Sequence, residues 1–231
     1  MPIVKSEDQV LLSFVAQAKS DFEKALRILT ERNTLSASQT FQFYVRVPNQ
    51  QQVVALNPPD LWKGETEASA VVATFDGEIV YGPESAKRQG SRYAAVFEKN
   101  PEVNVVLHVH TPYLGGWASS HRVLPLLYAA SQRHTLAREL PVYIDRTGGE
   151  PAFINATIAA NPHTPAILEA NGGSTLWGKN IIAVSKFLLL LEEGVQFQAI
   201  AESLGGSKEF GPGVLEQQWS MGFVKKTEVA A

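Results

Sequence analysis

His108 and His110, one residue apart, are the first place where this sequence could do chemistry. They end Val103 to His110, a β-branched run that predicts a buried strand. Side chains two apart on a strand share a face, with Cα atoms roughly 6–7 Å apart. Two neutral imidazoles placed in this way can converge on one cation such as Zn²⁺, Fe²⁺, Co²⁺ or Mn²⁺. Thr111-Pro112-Tyr113 ends the strand, which puts the pair near an opening at the sheet edge. A catalytic zinc takes about three protein ligands and keeps an open position, so the pair needs a further donor. The chain has no cysteine, which excludes disulfides, thiolate sites and a cysteine nucleophile.

The elements that would position the pair are legible as a change of period. Ser6-Glu7-Asp8-Gln9 reads as a capping box, and helical spacing then runs through Val10, Leu11, Phe14, Val15 and Ala18 to about Arg32. From Phe41 the period becomes two, with Phe41, Phe43, Val45 and Val47 on one face of a strand and Gln42, Tyr44 and Arg46 on the other. Val53 to Leu56 reads as the returning strand. Val71 to Phe75, Asp76-Gly77 and Glu78 to Tyr81 form a hairpin signal. Ser91 to Lys99 predicts a helix ended by Asn100-Pro101, and Gly115-Gly116 an interruption after the histidines. Leu140 to Ile144 predicts a strand, Thr157 to Asn161 a short helix and Ala166 to Glu169 a last strand. Lys179 to Leu204 predicts a long helix ended by Gly205-Gly206. The tail from about 210 is expected to be partly helical and exposed at its end. This order implies a sheet covered by helices on both sides.

Two blocks carry a resemblance. Asn100-Pro101-Glu102-Val103, the apolar strand and His108-Val109-His110-Thr111-Pro112-Tyr113 resemble the class II aldolase/adducin family. There a helix ends in a Pro-Asp-Val-like turn, and an apolar strand leads to His-X-His, a small residue and often Pro-Tyr. Ile167 to Gly178, containing Ala170-Asn171-Gly172-Gly173 and Trp177-Gly178, is similar to that family's strand, Asn-His-Gly turn and Trp-Gly. The resemblance covers roughly Phe22 to Leu204. It implies a single domain over residues 1–231, built as a three-layer α/β/α sandwich with a mixed, largely antiparallel central sheet.

The resemblance also implies a divalent metal, usually zinc, on three histidines. His108 and His110 match the first two, and the third falls on Gly172, or on Asn171 if the register slips by one. His121, His134 and His163 are the histidines left to complete the set, and His121 follows most closely after the strand end. The family's acid/base glutamate corresponds to Glu84, while an ungapped count gives Gln89. Tyr113 is the group expected to orient or protonate an oxyanion. The family's phosphate loops correspond to Phe41 to Arg46 and Asn57 to Asp60, where aromatics and prolines replace glycine and small hydroxyl residues. Tyr44 and Arg46 are the substrate-binding candidates there, and Tyr44, Phe43 and Trp62 would suit a flatter or more apolar substrate than a sugar phosphate. A homotetramer is also implied.

Composition narrows the classes. Of 231 residues, 45% are hydrophobic and 19% charged, as in a globular protein. A net charge of -3 argues against a broad nucleic-acid footprint. Met1 to Gln9 is charged with no apolar core, unlike a secretory signal, and Phe187 to Leu191 is too short to span a bilayer. The expectation is a cytoplasmic enzyme with a small-molecule substrate and no membrane or nucleic-acid partner. It would be a metal-dependent lyase for aldol cleavage or decarboxylation of a small carbonyl compound other than a sugar phosphate. The alternatives are a non-catalytic, adducin-like binding or assembly protein, a metal-free enzyme, and other family chemistry such as a metal-dependent oxygenase.

Overall fold

The computed structural model describes residues 3–4, 8–83, 86 and 91–222. Nine strands form the main sheet, in the order β1-β5-β4-β3-β2-β6-β11-β10-β9. These are β1 (Ile3–Val4), β2 (Phe41–Arg46), β3 (Gln52–Asn57), β4 (Ser69–Thr74), β5 (Ile79–Pro83), β6 (Val105–Val109), β9 (Val142–Tyr143), β10 (Ala166–Glu169) and β11 (Ser174–Gly178). A short pair, β7 (Leu124–Pro125) and β8 (Glu139–Leu140), stands apart. Only β9–β10 is parallel, so the sheet is mixed and largely antiparallel, as expected.

Strict alternation along β2 decides what lies on each face. Phe41, Phe43 and Val45 pack with Leu107, Val109 and Leu176 into the larger core. This face is covered by α1 (Gln9–Glu31), α3 (Pro112–Ser119) and α5 (Ile181–Ser203). The opposite face carries Tyr44, Val106, Ile167 and Trp177, packed under α2 (Ala94–Lys99) and α4 (Glu150–Ala160). Helix, sheet and helix thus form the expected three layers. Phe22 of α1 closes on Phe41 and Phe43 with ring centroids 5.2 and 6.1 Å apart, an aromatic cluster that pins the helix to the sheet centre.

Several local expectations are corrected. The N-cap of α1 is Asp8, whose carboxylate accepts from Val10 N and Leu11 N; Ser6 lies outside the described residues. Gly115 and Gly116 do not interrupt the chain but lie within α3, because Pro112 starts a helix there and Glu192 satisfies its free amides. Pro141 divides the predicted strand over 140–144 into β8 and β9. The short helix expected over 157–161 is the end of the longer α4. Beyond Glu169 the chain turns back as β11, so β10 is not the last strand. In the tail, α6 (Val214–Ser220) packs back on the chain and buries Gln218; its end beyond 222 lies outside the described residues.

Candidate metal centre

The sheet register assembles the site. Gln42, His108 and Thr175 lie directly opposite one another on β2, β6 and β11. Directly paired residues project on the same side, so the three form a row on the face beneath α2 and α4. Ile167 pairs with Thr175, and Glu169, two residues on, joins the same face. His108 is 7% exposed and Glu169 is 6% exposed.

A connected polar network fills this face. His108 Nδ1 is 2.8 Å from Glu169 Oε1. Thr175 Oγ1 lies 2.9 Å from the same oxygen and 2.5 Å from Glu150 Oε1. Glu150, at the start of α4, also accepts from Tyr93 OH at 2.9 Å and Arg92 Nη2 at 2.8 Å. Tyr44 packs edge-on against Tyr93, with centroids 4.8 Å apart. Thr175 has one proton for two carboxyl groups, so acceptors outnumber protons at its oxygen.

Electrostatics follow from these contacts. Burial pushes the Glu169 carboxyl up, but the His108 bond and charge, the Thr175 bond and Arg92 outweigh it and hold the pKa down at about 2. Burial pushes Tyr93 well up, and the nearby Glu150 charge adds to this, so its hydroxyl stays a donor. Burial opposes the Arg92 charge, but Tyr93 and Glu150 outweigh it and raise its pKa. His110 is shifted down by burial and then by His108, which favours the neutral imidazole that a metal requires.

The ligand atoms of His108, Glu150 and Glu169 lie within 4.8 Å of one another, a group that could hold a metal ion. The donor chemistry fits a divalent cation, because a buried imidazole and two buried carboxylates converge there. His110 stands beside the group, its ring 5.3 Å from that of His108. Backbone packing fixes this second ring. A Cβ at Gly173 would meet Val109 O at 2.1 Å and His110 Cδ2 at 2.4 Å, so only glycine fits against it. Gly172 differs. Its φ is ordinary, and a Cβ would meet its nearest atoms at 3.4–3.5 Å.

The other candidates divide. His121 Nε2 lies 2.7 Å from Asn171 Oδ1, which brings it to the loop containing Gly172. His134 closes a 3₁₀ turn against Phe187, and His163 lies between α4 and β10. Tyr113 is in the first turn of α3, where its backbone N–H donates to Glu192 Oε1 at 2.7 Å. Tyr44 reaches the network through Tyr93. Arg46 does not. It lies at the far end of β2, where its guanidinium donates to carbonyls of Phe97, Asn100 and Val103 and so holds the end of α2. Phe43 is in the core, and Trp62 is fully exposed. Glu84 and Gln89 lie outside the described residues.

Sequence reasoning missed Arg92, Tyr93, Glu150, Glu169 and Thr175. One signal was present: Glu169 ends an otherwise apolar buried strand. A carboxylate there needs a partner across the sheet.

Beside this face lies an open cavity of about 590 Å³ between residues 37–42 and 57–62. Gln42 belongs both to its wall and to the His108 row. Ser38, Thr40 and Asn57 add neutral polar groups, and Asp60 is the charged residue of the lining.

Comparison with known proteins agrees with this fold. A curated relative, 5-deoxy-D-ribulose 1-phosphate aldolase of Bacillus thuringiensis serovar kurstaki, is 26% identical over 152 residues, covering 65% of this chain and 68% of that protein. An L-fuculose 1-phosphate aldolase structure superposes with a TM-score of 0.69 at 17% identity, covering 88% of this chain and 95% of that one. The L-fuculose 1-phosphate aldolase of Glaciozyma antarctica PI12 gives 0.67 at 18% identity, covering 89% and 81%. At these identities the structural likeness speaks for the fold. The sequence profile described as class II aldolase and adducin N-terminal domain matches residues 27–199, most of the chain, and the chain therefore belongs to that family.

Proposed function

We propose that this protein is a metal-dependent lyase that cleaves or decarboxylates a small carbonyl compound carrying no phosphate. The buried His108, joined to Glu169 and Glu150 and flanked by His110, is the observation that carries the reading. His108 and His110 would hold the metal, zinc by family habit, with His121 beside the Gly172 loop as the added donor. When bound, the metal supplies Lewis-acid stabilisation of the negative charge that develops on the substrate oxygen as the bond breaks.

The chain's own groups do the rest. Gln42 offers its amide where the cavity meets the His108 row, and Thr40 and Ser38 offer hydroxyl groups further out. These groups suit an uncharged hydroxylated chain. A phosphate dianion would meet no lysine or arginine among the described lining residues, and the nearby Lys63 is already paired with Asp60 at 2.8 Å. Tyr113 and Glu84 are proposed to move the proton. The Arg92–Glu150–Tyr93 contacts hold the floor of the site rigid. The exposed Phe197, Ile200 and Leu204 at the end of α5 and just beyond it support a homotetramer, and the absence of cysteine suits the cytoplasm.

The experiment compares cleavage of 5-deoxy-D-ribulose and its 1-phosphate by wild type and His108→Ala. The expected result is preferred cleavage of the unphosphorylated ketose, with turnover and metal uptake both lost in the variant. Preference for the phosphate ester would overturn the substrate class and leave the lyase reading standing. Unchanged turnover in His108→Ala would sink the metal mechanism. The empty position at Gly172 favours one second reading, a non-catalytic adducin-like binding protein. It takes over if neither ketose is cleaved by metal-loaded protein.

A further inference from the structure

The proposed function gives Glu169 no role of its own, yet among the side chains bonded to His108 it is the closest acceptor. Both side chains are buried, Nδ1 and Oε1 are 2.8 Å apart, and Thr175 steadies the carboxylate from the other side. Thr175 is in turn held to Glu150, which Arg92 and Tyr93 anchor. The row therefore runs from a fixed cation on one side to the His108 ring on the other.

The three-residue group admits two arrangements. In one, His108 Nδ1, Glu150 and Glu169 all ligate the metal. In the other, Nδ1 carries a hydrogen, Glu169 accepts it, and the metal meets the far nitrogen of the ring. The contacts favour the second. Glu150 already has Arg92 and Tyr93 on one oxygen and Tyr93 and Thr175 on the other. A cation within the group would have to displace these donors. The two ring nitrogens of an imidazole point in divergent directions, so Nε2 turns away from Glu169.

We propose that Glu169 is a positioning residue whose carboxylate accepts from His108 Nδ1–H, fixes that tautomer and presents Nε2 as the metal-binding nitrogen. The role rests on the metal reading above. A carboxylate behind a ligating histidine sets ring orientation and strengthens the imidazole as a donor, and its loss weakens metal binding by roughly 10–100-fold. In this chain the effect has added weight, because Gly172 contributes no imidazole and the two remaining rings must be well aimed.

The test reads nitrogens directly. Metal-free protein with ¹⁵N-labelled histidine is examined by two-bond ¹H–¹⁵N correlation, with His134 as internal control, and zinc chloride alone is then added. The expected wild-type result is His108 protonated on Nδ1, with zinc shifting Nε2. Glu169→Val should mix the tautomers and lower zinc affinity by about 10–100-fold. Glu169→Gln, whose amide oxygen can accept the same hydrogen, should keep the tautomer and most of the affinity. Protonation on Nε2, zinc on Nδ1, or unchanged affinity in Glu169→Val overturns the role of Glu169 while a bound zinc leaves the metal reading intact. Zinc that does not bind the wild type removes both. The wild-type tautomer and the zinc-bound nitrogen decide the matter even if the valine variant fails to fold.

Discussion

At the scale of single residues, a glycine and a glutamate govern how the imidazoles are held. Gly173 lies so close to the His110 ring and the Val109 carbonyl that Gly173→Ala must displace one of them. We expect a loss of about 2 kcal/mol or more, read by urea denaturation, together with weaker metal uptake by dialysis. Glu169 gives a pH prediction. Its folded pKa of about 2 lies below the ordinary 4.5. Its contribution to stability is therefore complete above that value and is lost as pH falls from about 4.5 toward 2. Acid unfolding followed by circular dichroism should begin at lower pH in Glu169→Gln relative to its own neutral-pH stability, because the titrating carboxyl is gone. An unchanged acid limb would refute the assignment.

At the scale of elements, the metal face depends on how α3 is seated. Pro112 has no N–H, and the next two amides, of Tyr113 and Leu114, donate to Glu192 at 2.7 and 2.9 Å. Thr111 Oγ1 adds a third bond at 2.6 Å. One carboxylate from α5 thus caps a helix that starts just after His110. Burial raises the Glu192 pKa despite these donors. Glu192→Ala should cost about 3 kcal/mol, measured by chemical denaturation, and should loosen Tyr113 against solvent. A change below half that would show that water caps the helix as well. The same elements show what could be read from the chain. The alternation of β2, the Asp-Gly hairpin of β4 and β5, and the β-branched run of the His-X-His strand were legible, because period, turn chemistry and β-branching each mark a strand. The strand β11 was not, since Ser174 and Thr175 look like turn residues until the sheet buries them. Nor was the start of α4, where Gly149 offers no polar cap and the helix has no clear polar stripe. Thr175 and Glu150 lie on these two unread elements, so the network that joins Glu169 to Arg92 was hidden along with them.

At the scale of the whole molecule, the sheet separates stability from chemistry. One face is apolar and covered by α1, α3 and α5, and the other carries a buried polar row whose Gln42 also lines the cavity at residues 37–42 and 57–62. The exposed Phe197 and Ile200 lie in the last turns of α5, and Leu204 directly follows it, away from that row in sequence. If they join subunits as proposed, light scattering should give about four times the single-chain mass, the closed arrangement expected of a symmetric tetramer. Phe197→Asp combined with Leu204→Asp should reduce it to a smaller species. A single-chain mass in the wild type would exclude the tetramer.

The ordinary backbone at Gly172 would accept a Cβ, which would touch Glu169 and Arg146 at 3.4–3.5 Å, so a side chain can be seated there. Arg146 Nη2, which donates to Ala170 O, is the neighbour that a longer side chain would have to move from this socket. Laboratory evolution could fill it with histidine, or with an unnatural chelating amino acid, and explore new reactivities without rebuilding the sheet beneath.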